Sequence, residues 1–439
     1  MALRFGTDGV RAEAFTQLTL EFARALGAAS ARTLTGDVVI IGRDTRESGP
    51  ALQQAFAEGA ASVGVSVRDL GVVPTPAVAW LCKADGLPGA MLSASHNPWQ
   101  DNGIKLFSAG GLKLSDADQD VIQQQLDVAH GERYPTVAVD PIIEVGSIDR
   151  YLDAVVASVD GRTFGGSTVV LDSANGSAST TAKVIFERLG ATVISLADSP
   201  DGQNINSGVG STHPEMLQSA VVEHGAAAGF AFDGDADRIA AVGSDGVLID
   251  GDRIIAMSAL DRRERGALAN DTVVITVMAN LGFRRAMNSY GIAMVETPVG
   301  DRYVLEALDA GNHSLGGEQS GHVIHRDLAT TGDGVLTAVQ LFDAVRRRGV
   351  DMGEWAAEVM QRLPQVLLNI RTAEKIPDLA TKLAPAVAAE ESLLGSNGRV
   401  LIRESGTEPV VRVMVEAETS EIANESAQRL GAEVEKLAE

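Results

Sequence analysis

The chain has 439 residues, with 59 acidic and 36 basic side chains and a formal net charge of −23 at pH 7. A chain of this length exceeds what one hydrophobic core supports, so we expect three or four domains. A surface this acidic repels nucleic acid and anionic membranes, which excludes both as partners. An anionic substrate would need a local basic pocket.

Cysteine content and hydropathy indicate where the protein works. Cys82 is the only cysteine, which excludes an intrachain disulfide and fits a reducing compartment. No apolar run approaches the ~20 residues that span a bilayer, and the first residues lack the apolar region of a signal peptide. We therefore expect a soluble cytoplasmic protein in which Cys82 is a buried structural thiol.

A weak internal repeat organises most of the chain. Residues 37–70, 167–196 and 271–297 each read as a strand, a polar loop, an amphipathic helix and a second strand. Strands that alternate with helices predict βαβ units in mixed, mainly parallel sheets. Residues 398–418 instead alternate apolar and polar side chains around a central turn, which is typical of a smaller α+β domain.

The predicted fold class is therefore α/β, with three similar mixed α/β domains followed by a smaller α+β C-terminal domain around a central cleft. The predicted linker before the last domain is the stretch "RLPQVLLNIRTAEK", residues 362–375. The predicted domains are 1–150, 151–251, 252–365 and 366–439.

A hydroxyl beside an imidazole follows the apolar strand at residues 89–92. The loop reads Ser93-Ala94-Ser95-His96-Asn97-Pro98. A serine next to histidine suits nucleophilic catalysis, although the G-x-S-x-G elbow of many hydrolases is missing. Serine, asparagine and proline are also common in capping turns, so the segment alone leaves both interpretations open.

Three carboxylates follow at alternate positions, in Asp233, Asp235 and Asp237, between apolar flanks. Three like charges at one place are unfavourable without a cation, and hard oxygen ligands suit Mg²⁺. Arg238 adds a donor for phosphate. An EF-hand is excluded, because its twelfth position needs a glutamate and holds Ser244. A solvated acidic turn is the alternative.

Two later loops carry further polar groups. If the backbone there is extended, Glu318, Ser320 and His322 share one side of it, and they suit sugar hydroxyls or an amine; a polar hairpin loop is the alternative. A turn in the last domain can cradle a phosphate dianion, or it is a β-turn with surface charges. Its candidate ligands are Arg403, Ser405, Gly406, Thr407 and Arg412.

Three arginines nearer the N-terminus are further candidates. Arg11, in "FGTDGVRAE", is a site candidate, whereas Arg43 and Arg46, in "GRDTR", are as well explained by structural ion pairs.

Together the four loops, in this order, resemble the phosphoserine, metal, sugar and phosphate loops of the α-D-phosphohexomutase superfamily, and we use these names for them and for the four predicted domains. The resemblance covers essentially the whole chain. Gln319 and the segments "TPVGDRYV" and "RVMVE" are similar to those of members that act on glucosamine phosphate. The resemblance implies that Ser95 is phosphorylated and supported by Ser93, and that Asp233, Asp235 and Asp237 hold Mg²⁺ together with the phosphoserine.

The resemblance also implies a reversible relay. Phospho-Ser95 gives its phosphoryl group to O1 of glucosamine 6-phosphate, the 1,6-bisphosphate reorients, and the 6-phosphoryl group returns to Ser95. Arg11 and Lys105 are implied near the phosphoserine, and Glu318, Ser320 and His322 at the sugar. The general base stays open among Lys105, His96, Arg11 and His322. A homodimer is left open.

Three other functions compete with this hypothesis. A mutase for glucose or mannose phosphate would turn those sugars over faster. A metal-dependent sugar phosphatase would release phosphate rather than exchange isomers. A non-catalytic sugar-phosphate sensor would tolerate loss of Ser95.

Overall fold

A computed structural model describes residues 3–6, 8–128, 136–143, 146–374, 376–404 and 409–438. These residues divide into two compact units, Met1–Met278 with Ile292–Val359, and Ala279–Gly291 with Met360–Glu439. Each unit is described by itself.

The first sheet of the larger unit has five strands in the order β1-β5-β4-β2-β3. Strands β2, β3 and β4 are mutually parallel, and β5 runs antiparallel to β4 and β1. Helices α1 and α2 pack on it through an apolar core that includes Leu26, Phe56 and Ile41. Its elements are β1 (Val10–Glu13), α1 (Leu20–Thr33), β2 (Val38–Arg43), α2 (Gly49–Ser62), β3 (Ser66–Val72), α3 (Thr75–Asp85), β4 (Gly89–Leu92), β5 (Asp101–Phe107) and α4 (Asp116–Val128).

The second sheet repeats this plan, in the order β10-β9-β8-β6-β7. Strands β6, β7 and β8 are parallel, whereas β9 is antiparallel to β8. Its elements are α5 (Ser147–Ala157), β6 (Thr168–Asp172), α6 (Ala182–Arg188), β7 (Thr192–Leu196), α7 (Glu215–Glu223), β8 (Ala228–Phe232), β9 (Ile239–Gly243) and β10 (Leu248–Ile249).

The third sheet has four strands in the order β12-β11-β13-β14. Parallel strands β12, β11 and β13 are again followed by an antiparallel partner, β14. Its elements are α8 (Gly251–Glu264), β11 (Thr272–Thr276), β12 (Ala293–Thr297), α10 (Asp301–Gly311), β13 (Leu315–Gly317), β14 (Val323–His325), α11 (Gly334–Arg348) and α12 (Met352–Val359).

The smaller unit contains an antiparallel sheet in the order β15-β17-β16. Helix α14 packs on it through Ala423, Ala427, Leu430 and Val434, all of which are buried. The unit also includes α9, whose N-cap residue Asn280 donates to Leu363 O at 3.0 Å. Its elements are α9 (Leu281–Ser289), β15 (Gln365–Arg371), α13 (Leu379–Leu394), β16 (Arg399–Glu404), β17 (Val410–Glu416) and α14 (Ser420–Ala438).

The predicted fold class is confirmed: three similar α/β sheets precede a smaller α+β domain. The predicted linker is wrong in its central part, because Gln365–Arg371 forms β15. Apolar and polar side chains alternate there, which lets a strand bury one face against the α14 side of the sheet. The predicted boundary at residue 150 falls inside α5, and α9 groups with the C-terminal unit.

Each candidate loop occupies an equivalent place in its sheet. Residues 93–100 join β4 to β5, 233–238 join β8 to β9, and 318–322 join β13 to β14, while β16 ends at Glu404 and β17 begins at Val410. Every one of these strand pairs is antiparallel. Consequently, three similar sheets present three chemically different hairpin loops. Within the described residues, no helix is long and apolar enough to cross a membrane.

Candidate active site

Ser95 lies at the end of a buried strand, in a strained conformation. The residue is 1% exposed, and its φ of 54° is left-handed, a region that non-glycine residues rarely adopt. Such a backbone costs roughly 1 kcal/mol or more and persists only where the surroundings hold it.

A closed ring of hydrogen bonds holds that conformation. The Ser95 N–H donates to Ser93 Oγ at 2.9 Å, and Ser93 Oγ donates to Asp44 Oδ2 at 2.7 Å. The Arg46 guanidinium donates to Asp44 Oδ2 at 2.8 Å and to Ser95 O at 2.9 Å. The ring begins at the N–H of Ser95 and ends at the carbonyl of the same residue. It therefore fixes both backbone torsions of Ser95.

The three aspartates meet in the turn that joins β8 to β9. Carboxylate oxygens of Asp233, Asp235 and Asp237 lie within 4.8 Å of one another, and all three residues are buried. The Ser95 hydroxyl donates to Asp233 Oδ2 at 2.6 Å. Burial raises the pKa of Asp233, and the neighbouring Asp237 and Asp235 carboxylates raise it further.

These carboxylates fit a divalent cation. Asp235 Oδ1 is buried and receives no hydrogen bond from the part of the chain that the structure describes. Asp237 Oδ1 lies 3.7 Å from His322 Nδ1, beyond hydrogen-bond length. Buried oxygens without donors are costly, and a hard cation that they ligate together removes that cost.

Lys105 projects from β5 into the same cluster. Its Nζ lies 2.7 Å from Asp235 Oδ2, 3.1 Å from Asp237 Oδ2 and 3.0 Å from Asp8 Oδ2. Although burial alone lowers the pKa of Lys105, the three carboxylates raise it well above its ordinary value. Lys105 is therefore a fixed ammonium ion within the carboxylate cluster.

Asp8, which the sequence did not single out, connects several cations. It accepts from Arg11 Nη2 at 2.6 Å as well as from Lys105, and it also pairs with Lys113. Lys113 in turn pairs with Asp301, the first residue of α10. Asp8 and Asp301 thus hold Arg11, Lys105 and Lys113 together beside the aspartate cluster.

His96 and Arg238 flank the serine and the aspartates. His96 Nδ1 lies 3.4 Å from Ser95 Oγ. Burial lowers the pKa of His96 to about 4, and the Arg238 and Arg11 charges contribute. The Arg238 N–H donates to Asp233 Oδ1 at 3.2 Å, which closes the metal loop.

The sugar loop is a tight turn rather than the extended segment that the alternation predicts. The Gly321 N–H donates to Glu318 O at 3.0 Å, and the Glu318 N–H donates to His322 O at 3.0 Å. Gly321 has a φ of 88°, and a Cβ there would meet Ile239 O at 1.9 Å. The three side chains therefore diverge: Ser320 is exposed whereas His322 is buried.

Glu318 and His322 both lie near the N-terminal end of α10. The Gly300 N–H donates to Glu318 Oε1 at 3.0 Å. His322 Nε2 accepts from the Gly332 N–H at 3.2 Å and lies 3.6 Å from Asp301 Oδ2, while its Nδ1 lies 3.7 Å from Asp237 Oδ1. His322 thus connects the sugar loop to the metal loop.

The predicted phosphate loop belongs to the smaller unit. Arg403 and Arg412 are direct partners on the antiparallel strands β16 and β17. Like charges placed directly opposite each other are unfavourable, and a bound anion would relieve the repulsion. Ser405, Gly406 and Thr407 lie outside the described residues.

Sequence reasoning missed several residues of the larger unit. Asp8 lies in the same "FGTDGVRAE" segment as Arg11, and Asp301 lies in "TPVGDRYV", which we used only for substrate preference. Thr75 donates to Asp235 Oδ2 at 2.5 Å, and Asn206 donates to Ser95 O at 2.9 Å. Asp8 and Asp301 could have been found as the carboxylates within these two motifs. No sequence pattern marked Thr75 or Asn206 as part of the site.

Comparison with known families matches the whole architecture. The four models of the phosphoglucomutase/phosphomannomutase family match in order: α/β/α domain I at residues 2–131, domain II at 149–246, domain III at 250–363 and the C-terminal domain at 367–432.

Similar proteins extend over nearly the full length. A phosphoglucosamine mutase of Thermobifida fusca is 50% identical over 98% of this chain and 97% of its own, and one of Frankia alni is 49% identical over 99% and 98%. Among solved structures, a phosphoglucomutase/phosphomannomutase family protein of Burkholderia thailandensis has a TM-score of 0.82 at 25% identity, covering 98% of this chain and 97% of its own.

A more distant structure shares the fold. The N-acetylphosphoglucosamine mutase of Aspergillus fumigatus, in complex with GlcNAc-6P and magnesium, has a TM-score of 0.71 at 17% identity over 100% of this chain and 96% of its own. With a serine hydroxyl on a buried carboxylate cluster, four matching domain models and relatives about half identical along the chain, this chain belongs to the phosphoglucomutase/phosphomannomutase family and, within it, to the phosphoglucosamine mutases.

Proposed function

We propose that this chain interconverts glucosamine 6-phosphate and glucosamine 1-phosphate through a phosphoserine at Ser95. The observation that carries the proposal is the 2.6 Å contact between Ser95 Oγ and Asp233 Oδ2, inside a buried cluster of three aspartates. A hydroxyl so placed is beside the cation that phosphoryl transfer requires. The choice of glucosamine rests on the relatives that are 47–50% identical.

Mg²⁺ is the proposed cofactor, held by Asp233, Asp235 and Asp237 together with the Ser95 phosphate. When bound, it neutralises charge that develops on the transferring phosphoryl group. Three carboxylates and a phosphate oxygen are the hard ligands that Mg²⁺ prefers.

The proposed reaction consists of two phosphoryl transfers. In the first, the bond between Ser95 Oγ and phosphorus breaks, O1 of the sugar bonds to phosphorus, and the O1 proton passes by way of an acid–base group to Ser95 Oγ. Glucosamine 1,6-bisphosphate then reorients. In the second, Ser95 Oγ gives up its proton and bonds to phosphorus, the O6–phosphorus bond breaks, and the proton passes by way of the same group to O6.

The contacts favour His96 as the group that carries this proton. Arg11 and Lys105 donate to carboxylates, and His322 Nε2 already accepts from Gly332. His96 Nδ1 is 3.4 Å from Ser95 Oγ, close enough to serve once a substrate tightens the geometry. We assign Arg11 and Lys105 the role of stabilising phosphoryl charge.

The remaining assignments concern the sugar and its second phosphate. Glu318, Ser320 and His322 bind sugar hydroxyls or the amine, and Arg238 supports the reacting phosphoryl group. Arg403 and Arg412, together with Ser405, Gly406 and Thr407, bind the phosphate that is not reacting. The direct pairing of the two arginines on neighbouring strands supports this assignment.

We also propose a cellular compartment for the protein and a test of its oligomeric state. Cys82 is buried, and burial raises the pKa of its thiol, so this single unreactive cysteine fits the reducing cytoplasm. Sedimentation of the full chain would decide between a monomer and the homodimer that we leave open.

The decisive test supplies purified protein with Mg²⁺, catalytic glucose 1,6-bisphosphate and each of three 6-phosphates: those of glucosamine, glucose and mannose. We expect phosphorus NMR to show glucosamine 1-phosphate forming fastest. Faster turnover of glucose or mannose 6-phosphate would overturn the substrate, and net release of inorganic phosphate would overturn the mutase reaction. Mass spectrometry should locate phosphate on Ser95 rather than on Ser93.

A further inference from the structure

A side chain from the domain of the second sheet donates hydrogen bonds to the backbone of the phosphoserine loop. Asn206 lies in the loop between β7 and α7, and it is only 9% exposed. Its Nδ2 donates to Ser95 O at 2.9 Å and to Asn97 O at 3.1 Å. Arg46 Nη2 donates to the same two oxygens, at 2.9 and 2.8 Å.

The two carbonyls are therefore held from both sides. Arg46 is contributed by the first sheet, next to β2, and Asn206 by the second. Each oxygen receives two donors, which is the full capacity of a carbonyl. We call this arrangement, Arg46 and Asn206 on the carbonyls of Ser95 and Asn97, the carbonyl clamp.

The backbone of Asn206 is itself held in place. Its backbone N–H donates to Ala174 O at 2.9 Å, on the loop after β6. A Cβ on Gly234, in the metal loop, would lie 2.6 Å from Ser95 O and 2.9 Å from Asn206 Nδ2. The clamp and the metal loop thus touch at Gly234, the residue next to Asp233.

Asn206 and Asp233 lie in loops that follow β7 and β8 of the second sheet, and both contact Ser95. The ring through Ser93, Asp44 and Arg46 sets the torsions of Ser95 within the first sheet, but it does not set the serine against the aspartates of the second. Asn206 connects the second sheet to the backbone of the Ser95 loop by donating to the carbonyls of Ser95 and Asn97. In phosphoryl transfer, a displacement of about 1 Å can cost on the order of 100-fold in rate.

We propose that Asn206 is a positioning residue, which sets the Ser95 hydroxyl in register with the aspartate cluster by holding the carbonyls of Ser95 and Asn97. The inference rests on the proposed phosphoserine mechanism. It assigns Asn206 no contact with the substrate, so the residue acts on transfer to and from Ser95 and leaves sugar binding intact. A residue that merely satisfied buried carbonyls would affect folding alone.

The test follows phosphoryl transfer from glucose 1,6-bisphosphate to the phosphate-free protein in single turnovers, together with steady-state kinetics. Asn206→Ala removes both donated bonds. We expect it to slow Ser95 phosphorylation and kcat about tenfold, with KM for glucosamine 6-phosphate within about twofold. Asn206→Asp, which cannot donate and repels the carbonyls, should be slower still, and Asn206→Ser, which keeps a short donor, should be intermediate.

A matched control lies two residues away. Asn204 is in the same loop, but its Nδ2 donates to Ser199 O at 3.1 Å and does not reach Ser95. Asn204→Ala should therefore phosphorylate at the normal rate. Equal losses in the Asn204 and Asn206 variants, a loss confined to KM, or equal rates in all three Asn206 variants would overturn the inference. Should Asn206→Ala not fold, the Asp and Ser variants carry the same comparison.

The same experiment separates the two proposals. If the unsubstituted protein takes up no phosphate on Ser95, the proposed function fails. If it does so and the Asn206 variants do so equally fast, only the positioning role fails.

Discussion

The phosphoserine loop and the sugar loop have the same place in similar sheets, yet they are held very differently. The first is fixed by a closed ring and by the carbonyl clamp, and Ser95 is 1% exposed. The second is a hairpin turn, with Ser320 at the surface. Under the proposed mechanism, the first loop holds an atom that forms and breaks bonds and so needs one geometry, whereas the second has to accept a sugar in two orientations.

This difference predicts that substitutions in the first loop lower kcat and that substitutions in the second raise KM. The largest expected effect is that of Ser95→Ala. Without the hydroxyl no phosphoenzyme forms, so we expect kcat to fall on the order of 10⁵-fold, as when a covalent nucleophile is lost elsewhere. Glucosamine 1-phosphate formation measures it.

Ser93→Ala is the matched control for that prediction. It keeps the nucleophile but removes the acceptor of the Ser95 N–H and the donor to Asp44. We expect about a tenfold loss. A Ser95→Ala protein that retains more than about a thousandth of normal activity would contradict a phosphoserine.

The second largest effect is expected at the aspartate cluster, which accepts the hydrogen bond of the Ser95 hydroxyl. Asp237→Asn removes one of three anionic ligands, and we expect a loss of roughly 100-fold at fixed Mg²⁺, which corresponds to a few kcal/mol of charge stabilisation. Higher Mg²⁺ should recover part of it, and a chelator should abolish activity in the unsubstituted protein.

Asp245→Asn is the control here, because Asp245 is an exposed acidic residue that accepts from the Val247 N–H at 3.0 Å on the next turn. It should behave normally at every Mg²⁺ concentration. Full activity of Asp237→Asn in the presence of chelator would mean that the cluster does not hold the required cation.

A smaller effect tests the sugar loop. Glu318→Gln keeps an acceptor for the Gly300 N–H but removes the charge, so the turn should survive while sugar binding weakens. We expect KM to rise about tenfold with little change in kcat. Ser320→Ala, at the exposed tip, should change KM only about twofold. Steady-state kinetics with both variants would contradict the comparison if kcat fell and KM did not.

The smallest effect concerns pH and stability beside the sugar loop. His325, on β14, is buried, and burial together with the Arg262 and Arg265 charges lowers its pKa to about 3. The unfolded chain has the ordinary pKa near 6.5. The folded state therefore favours neutral imidazole, and this contribution is complete above about pH 6.5 and declines as the pH falls toward 3.

Chemical denaturation between pH 7 and pH 5 measures that decline. Acidification should lower the free energy of unfolding of the unsubstituted protein relative to that of His325→Gln, in which position 325 has no group that titrates there. Parallel pH profiles in the two proteins would show that His325 does not carry the dependence.

Much of the site was predictable because its chemistry is local. Asp233, Asp235 and Asp237 occupy one short turn between apolar strands, so their convergence needed only a hairpin. The alternating strands and helices likewise gave the three α/β domains. The alternation of Glu318, Ser320 and His322 was misleading, because Gly321 adopts a left-handed φ and folds the segment into a turn.

Other features could not be read from the chain. Gln365–Arg371 seemed a linker because its alternation is short, and its partner β17 begins at Val410. Asp8 and Asn206 belong to the site only through side chains that reach it from distant segments, and asparagine and aspartate are common wherever chains turn.

The sequence by itself determined the inventory: a hydroxyl, three carboxylates, a set of cations, and the hairpins that expose them. The tertiary structure decided which atoms meet. Ser95 and Asp233 are 138 residues apart and lie 2.6 Å from each other, a distance that depends on how two sheets pack. Hydrogen bonds form only within about 3 Å, so the strained torsion of Ser95 and its support by Asn206 exist only once those sheets are assembled.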